Sequence, residues 1–124
     1  MVSSTTSVVT DFPNLAYDGR GQKFASIAVT AGATGAIVAA VTNARIRVLG
    51  LYLNQVGSST ATVQFKSAST AISGVITVKA TDMHMVLSFN PAGWMETESG
   101  EALNLTTVNT AVAGFLVYEE VTVA

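Results

Sequence analysis

The chain has 124 residues, 49% of them hydrophobic and only 11% charged, with a formal net charge of −2 and no cysteine. The length fits one domain with a sizeable core. The charge balance gives no clustered Lys/Arg surface for nucleic acid, and the missing thiols exclude a disulfide framework, thiolate nucleophiles and cysteine metal ligands. Soluble domains usually carry about 25% charged residues, so a surface this poor in charge points to burial against other chains.

In chain order, residues 1–22 are rich in Ser and Thr, then carry Asp11, Pro13, Asn14, Asp18, Gly19 and Gly21 without periodicity. They read as an extended N-terminal arm that Phe12, Leu15 and Tyr17 would anchor on a neighbour, with residues 23–124 as the folded domain. The first residues lack the basic and apolar blocks of a signal peptide.

From Lys23 onward strand signals repeat. Ile27 and Val29 alternate with Phe24, Ser26, Ala28 and Thr30, which predicts an inner and an outer face. The apolar run 25–41 is broken by Ser26, Thr30, Gly32, Thr34 and Gly35, so it reads as a hairpin rather than a membrane span. Its turn would be Ala31–Gly35, with Ala36–Val41 paired to the preceding strand. Thr42-Asn43 turns the chain. Arg45–Leu53 is the strongest strand: Arg45 and Arg47 share one face, Ile46 and Val48 the other, and both faces are apolar from Leu49. Gly50 suggests a bulge or a close backbone approach.

Ala61, Val63 and Phe65 alternate cleanly with Thr62, Gln64 and Lys66. Residues 71–79 continue as a strand with a bulge at Ser73-Gly74, and 83–89 alternate Met83, Met85, Leu87 and Phe89 against His84, Val86 and Ser88. Asn90–Gly93 turns, Trp94 opens a short strand, and Ser99-Gly100 turns again. Ala102–Val108 places Leu103 and Leu105 inward. Val112–Val121 closes the domain with Leu116 and Tyr118 opposite Phe115 and Val117. Eight or nine short, β-branched strands without a 3.6-residue stripe predict an all-β, jelly-roll-like antiparallel β-sandwich.

Chemistry is thinly signalled. Glu96, Glu98 and Glu101 form the densest acidic stretch, and Glu96 and Glu98 share a face of an extended segment. A glycosidase-type carboxylate pair or a calcium site would need a second acidic cluster or an Asp-x-Asp-x-Asp-Gly loop, and neither is present. A solvated rim or salt bridges is the simpler reading. The single His84 cannot build a multi-histidine metal site, and no Gly-x-Ser-x-Gly elbow accompanies it. Residues 32–35 lack the lysine and spacing of a phosphate loop, and the acceptor pattern at Asn104 lies in a predicted strand. Trp94 beside two acids would suit stacking on a sugar. Alternatively, its indole covers a corner with its N–H on a loop carbonyl. Arg45 and Arg47 are placed to reach Glu119 and Glu120 across a sheet, or acids on a partner. The expectation is a protein with no catalytic residue, no cofactor and no metal.

Taken together, the I-R-V-L strand at 46–49, T-V-Q-F-K-S at 62–67, A-I-S-G at 71–74, F-N-P-A-G-W at 89–94, T-E-S-G-E-A-L-N-L at 97–105 and the closing G-x-L-x-Y at 114–118 resemble the small virion proteins of tailed bacteriophages. The likeness is to head-decoration or cement proteins with a jelly-roll-like sandwich, over residues 23–121. It implies a non-enzymatic homo-oligomer, dimer or trimer, that is made in the host cytoplasm. On the capsid exterior it would bind the major capsid protein, without nucleic acid or membrane contacts. Phe12, Leu15, Tyr17, Arg45 and Arg47 are the expected interface residues. The alternative is a tail or fibre-base module that recognises a glycan or another virion protein.

Overall fold

A computed structural model of the chain describes residues 21–57, 60–79 and 84–122. Ten strands occur among them: β1 (Gln22–Val29), β2 (Thr34–Val38), β3 (Ala44–Gln55), β4 (Ala61–Ser67), β5 (Thr70–Ala71), β6 (Ile76–Val78), β7 (His84–Leu87), β8 (Met95–Glu96), β9 (Leu103–Val108) and β10 (Val112–Thr122). They form two antiparallel sheets. One has the order β8-β3-β10-β1, with β7 also on β3; the other has β2-β9-β4-β5, with β6 also on β4.

Because β7 and β8 share one flank of β3, and β5 and β6 share one flank of β4, each sheet has four positions. The first sheet then holds the first, last, third and sixth positions of the chain, and the second holds the second, seventh, fourth and fifth. That interleaving is the jelly-roll order, two Greek keys wrapped into a sandwich. Among the described residues there is no helix long and apolar enough to cross a membrane.

The predicted hairpin at 25–41 is corrected here. The turn itself forms, with the Ala33 amide donating to the Thr30 carbonyl at 3.0 Å. The two strands do not pair, however: β1 runs along β10 in one sheet, while β2 runs along β9 in the other. Val29 faces the core at the end of the first sheet, and Gly35 sits so close that a Cβ there would lie 3.1 Å from the Val29 Cγ2. This turn therefore crosses the sandwich instead of closing a hairpin.

Inner faces follow the period-2 pattern. Ile27 and Val29 of β1, Val63 and Phe65 of β4, Leu103 and Leu105 of β9, and Val112 and Leu116 of β10 pack into one core between the sheets. In β3 the alternation breaks in the middle. Tyr118 of β10 lies opposite Val48 while Val117 lies opposite Gly50, so Leu49 is an extra residue on β3. The bulge shifts the phase from Ile46 and Val48 inward to Leu51 and Leu53 inward, which keeps both halves of this strand apolar toward the core. It also turns the carbonyls of Val48 and Leu49 outward, where they accept the Trp94 and Asn90 amides at 2.8 Å each.

The predicted strand 71–79 is interrupted at Ser73. The Ser73 hydroxyl accepts the Phe65 amide at 2.9 Å and its carbonyl accepts the Gln64 side-chain amide at 3.1 Å, so side-chain and loop groups replace ladder bonds there.

Candidate functional site: the outer face of the first sheet

Two features share the outer face of the first sheet: an ionic row at one end and an aromatic groove at the centre. The row follows from register. Glu96 on β8 and Glu119 on β10 both lie opposite Arg47 on β3, so three adjacent strands present acid, base and acid in line. The Arg47 Nε donates to the Glu96 Oε2 at 2.7 Å and its Nη1 to the Glu119 Oε2 at 3.1 Å. The hydrogen bond to Glu96 and the fields of both carboxylates raise the Arg47 pKa above the usual arginine value, while burial acts in the opposite direction.

Arg45, two residues earlier on the same face, is held more loosely. Its Nη1 donates to the Thr97 carbonyl at 3.4 Å, and its nearest carboxylates are 4.0 Å (Glu96) and 3.6 Å (Glu98) away. Lys23 and Glu120 pair at 3.1 Å. The expected reach of the arginines toward Glu119 is thus met by Arg47, whereas Glu120 is taken by Lys23.

The segment 97–101 closes this end of the sandwich and joins the two sheets. Buried Thr97 donates its amide to the Ile46 carbonyl, and its hydroxyl accepts the Ile46 amide at 2.9 Å. On the other side, the buried Ser67 hydroxyl of β4 accepts the Glu98 amide at 2.9 Å and donates to Glu101 at 2.5 Å. All three acids of this stretch are therefore engaged within the chain: Glu96 and Glu98 by arginines, Glu101 by Ser67. Among the described residues no three or more His, Asp or Glu side chains converge to hold a metal ion.

Trp94 takes the corner arrangement. Its indole N–H donates to the Ser88 carbonyl at 2.8 Å. Gly93 is required beside it: its φ is +89°, and a Cβ would come within 2.5 Å of the Arg47 Cγ. Gly93→Ala should therefore lower stability by about 1–2 kcal/mol, through left-handed strain and displacement of the arginine stem. Urea titration checks this; an unchanged midpoint would mean that the corner yields freely.

The groove lies toward the middle of the sheet. Tyr52 stacks between His84 and Phe115, with ring centroids 5.7 and 5.6 Å apart. Beside this stack Gly50 leaves a floor without a side chain, and Val86, Phe89, Phe115 and Val117 wall a groove of about 320 Å³. Large apolar groups stand in solvent around it: Phe24 is 77% exposed, Val86 64%, Phe115 54%, Phe89 48% and Trp94 46%. With burial of a whole aromatic side chain covering 150–250 Å², these five residues together show roughly 500 Å² of apolar surface, at the upper end of what a free monomer carries.

Of the residues expected to form an interface, Arg45 and Arg47 lie on this face, and Phe12, Leu15 and Tyr17 lie outside the described residues. Sequence reasoning missed the groove. Phe24, Val86 and Phe115 each fell on the outward phase of a strand, but nothing local placed those strands side by side. The available signal was Gly50 within an otherwise bulky strand.

No family model matches the chain, and no curated protein matches it. Among solved structures, a protein described under "Bacillus endospore appendages form a novel family of disulfide-linked pili" shares the fold, with a TM-score of 0.51 and 17% identity over 83% of this chain and 88% of that one. At that identity the likeness concerns the fold alone. The linkage named in that description has no counterpart here, because this chain has no cysteine.

Proposed function

We propose that this chain is a non-enzymatic structural protein of a tailed-phage virion, a decoration protein that attaches to the outside of the assembled head and bridges shell subunits. The observation that carries the reading is the outer face of the first sheet. Large apolar side chains stand there in solvent while the neighbouring charges are spent on one another. Such a face gains free energy by being covered and has little polar chemistry to offer a small substrate.

The order of strands and turns that resembles head-decoration proteins supports the virion setting, and the jelly-roll topology is compatible with it. In this reading Phe12, Leu15 and Tyr17 insert into the shell, and loosely held Arg45 offers its charge to a partner acid while Arg47 keeps the sheet in register. Multiple weak contacts from one oligomer then add as avidity.

A second reading, a subunit of a self-assembling fibre or fibre base, is favoured by the fold shared with the appendage protein. Cosedimentation with purified heads separates the two. The full chain should bind saturably, and a chain lacking residues 1–20 should remain folded but lose at least about tenfold in apparent affinity. Equal binding by the shortened chain removes the arm from the reading. No binding by the full chain removes the decoration role.

A further inference from the structure

We propose that the outer face of the first sheet is a symmetric dimer interface, in which Phe24 of each protomer fills the Gly50-floored groove of a second copy. The inference rests on the homo-oligomer element of the reading above and not on its capsid element.

Register supplies the geometry. Phe24 on β1 lies opposite Val117 on β10, and Val117 lies opposite Gly50 on β3. Projection and groove therefore occupy one row, one strand to either side of β10, and are separated by two strand spacings, about 10 Å. A two-fold axis lying in the interface along β10 exchanges the two sides of that strand. It places each Phe24 over the other copy's groove, twice and equivalently, as an isologous contact demands. Two sheets meeting in this way pack face to face at the ordinary spacing of about 10 Å.

Size and charge agree with a second copy as the occupant. Roughly 500 Å² of apolar surface per copy would form the centre of a standard interface of about 800 Å² per partner. Arg47, Glu96 and Glu119 on this face are already paired within the chain, and the formal net charge is only −2, so bringing two copies together meets little repulsion. Phe24 is the most exposed of the large apolar side chains among the described residues, and it stands beside Val117 at the rim of the groove in its own chain without lining it. Its place on a sheet of this kind is explained by what it does in another copy.

The test uses the full chain, by sedimentation equilibrium at micromolar concentration without any particle present. Wild type should have twice the 12.8 kDa chain mass. Phe24→Lys and Val86→Glu, both at exposed positions, should each sediment as single chains with unchanged β-sheet circular dichroism. An equimolar mixture of the two variants should recover the doubled mass. In that mixture one contact is native and the other sets the introduced ammonium against the introduced carboxylate.

A second measurement uses the absence of native cysteine. Phe24→Cys combined with Val86→Cys should yield a covalent dimer with a bis-maleimide of about 10 Å span, the reach needed between thiols on facing sheets that lie too far apart for a direct disulfide. A monomeric wild type, single variants that still dimerise, or a mixture that stays monomeric together with no covalent dimer would each overturn the proposal. Monomeric protein whose variants lose binding to heads would overturn it too, assigning the face to a shell protein. Loss of head binding by a protein that still dimerises would contradict only the capsid element.

Discussion

Gly114→Ala should destabilise the protein by roughly 3 kcal/mol or more, the largest effect expected of any single methyl group in this chain. Gly114 sits in the middle of β10, opposite Ile27 of β1 on one side and Leu53 of β3 on the other. A Cβ there would collide with the Tyr52 carbonyl, so β3 and β10 would have to separate along their longest shared ladder. The sign is decisive. In an open strand position, alanine gains up to about 1 kcal/mol over glycine by restricting the unfolded chain. A chemical denaturation midpoint that rises in the variant would show that the strands do not approach so closely.

The second large effect is at Arg47. Arg47→Met keeps most of the stem that packs against Gly93 but leaves the Glu119 carboxylate without its counter-charge and Glu96 with only Arg45 at 4.0 Å. Exposed ion pairs contribute about 0–1 kcal/mol and broken buried ones cost 3–5. Side-chain exposures of 29% for Arg47, 32% for Glu96 and 29% for Glu119 lie between those limits, so a loss of about 2 kcal/mol is expected. Added salt should recover part of the loss by screening the uncompensated acids. Arg47→Lys should recover less than half of it, because one ammonium cannot reproduce the fork that spans both neighbouring strands. Denaturation at low and high ionic strength reads all three outcomes; a salt-independent loss would mean that packing, not charge, is what Arg47 contributes.

What was legible in the sequence is what period-2 alternation can carry. Phe65 between Gln64 and Lys66, Leu103 and Leu105 in β9, and Leu116 opposite Phe115 all face as their spacing predicts, because each choice depends on one strand alone. Gly50 suggested a bulge or a close backbone approach, and both occur: Leu49 beside it is the extra residue, and a Cβ at Gly50 would lie 3.3 Å from the Leu87 carbonyl oxygen. Partnership was not legible. The sequence neighbours β1 and β2 look like a hairpin, yet β1 pairs with β10 from the far end of the chain. A turn specifies a reversal, not the sheet in which the next strand lands.

The same limit explains the site. Arg45 and Arg47 were placed to reach Glu119 and Glu120 across a sheet or acids on a partner; Arg47 meets Glu119, and Glu96 joins them only because β8 docks on the remaining flank of β3. The groove needs β10, β3 and β7 in that order, and no short stretch of residues encodes that order. Once it exists, the stretch from Phe89 to Leu105 acquires a structural meaning. Asn90 and Trp94 bond to the bulge, and Thr97 and Ser67 tie the two sheets together at the end of the sandwich.

The decoration reading is tested most directly by imaging heads incubated with the full chain by electron cryomicroscopy. The account predicts density for the sandwich on the outside of the shell, repeated at junctions between shell subunits. Bare heads, or density confined to the tail or to free fibres, would contradict it.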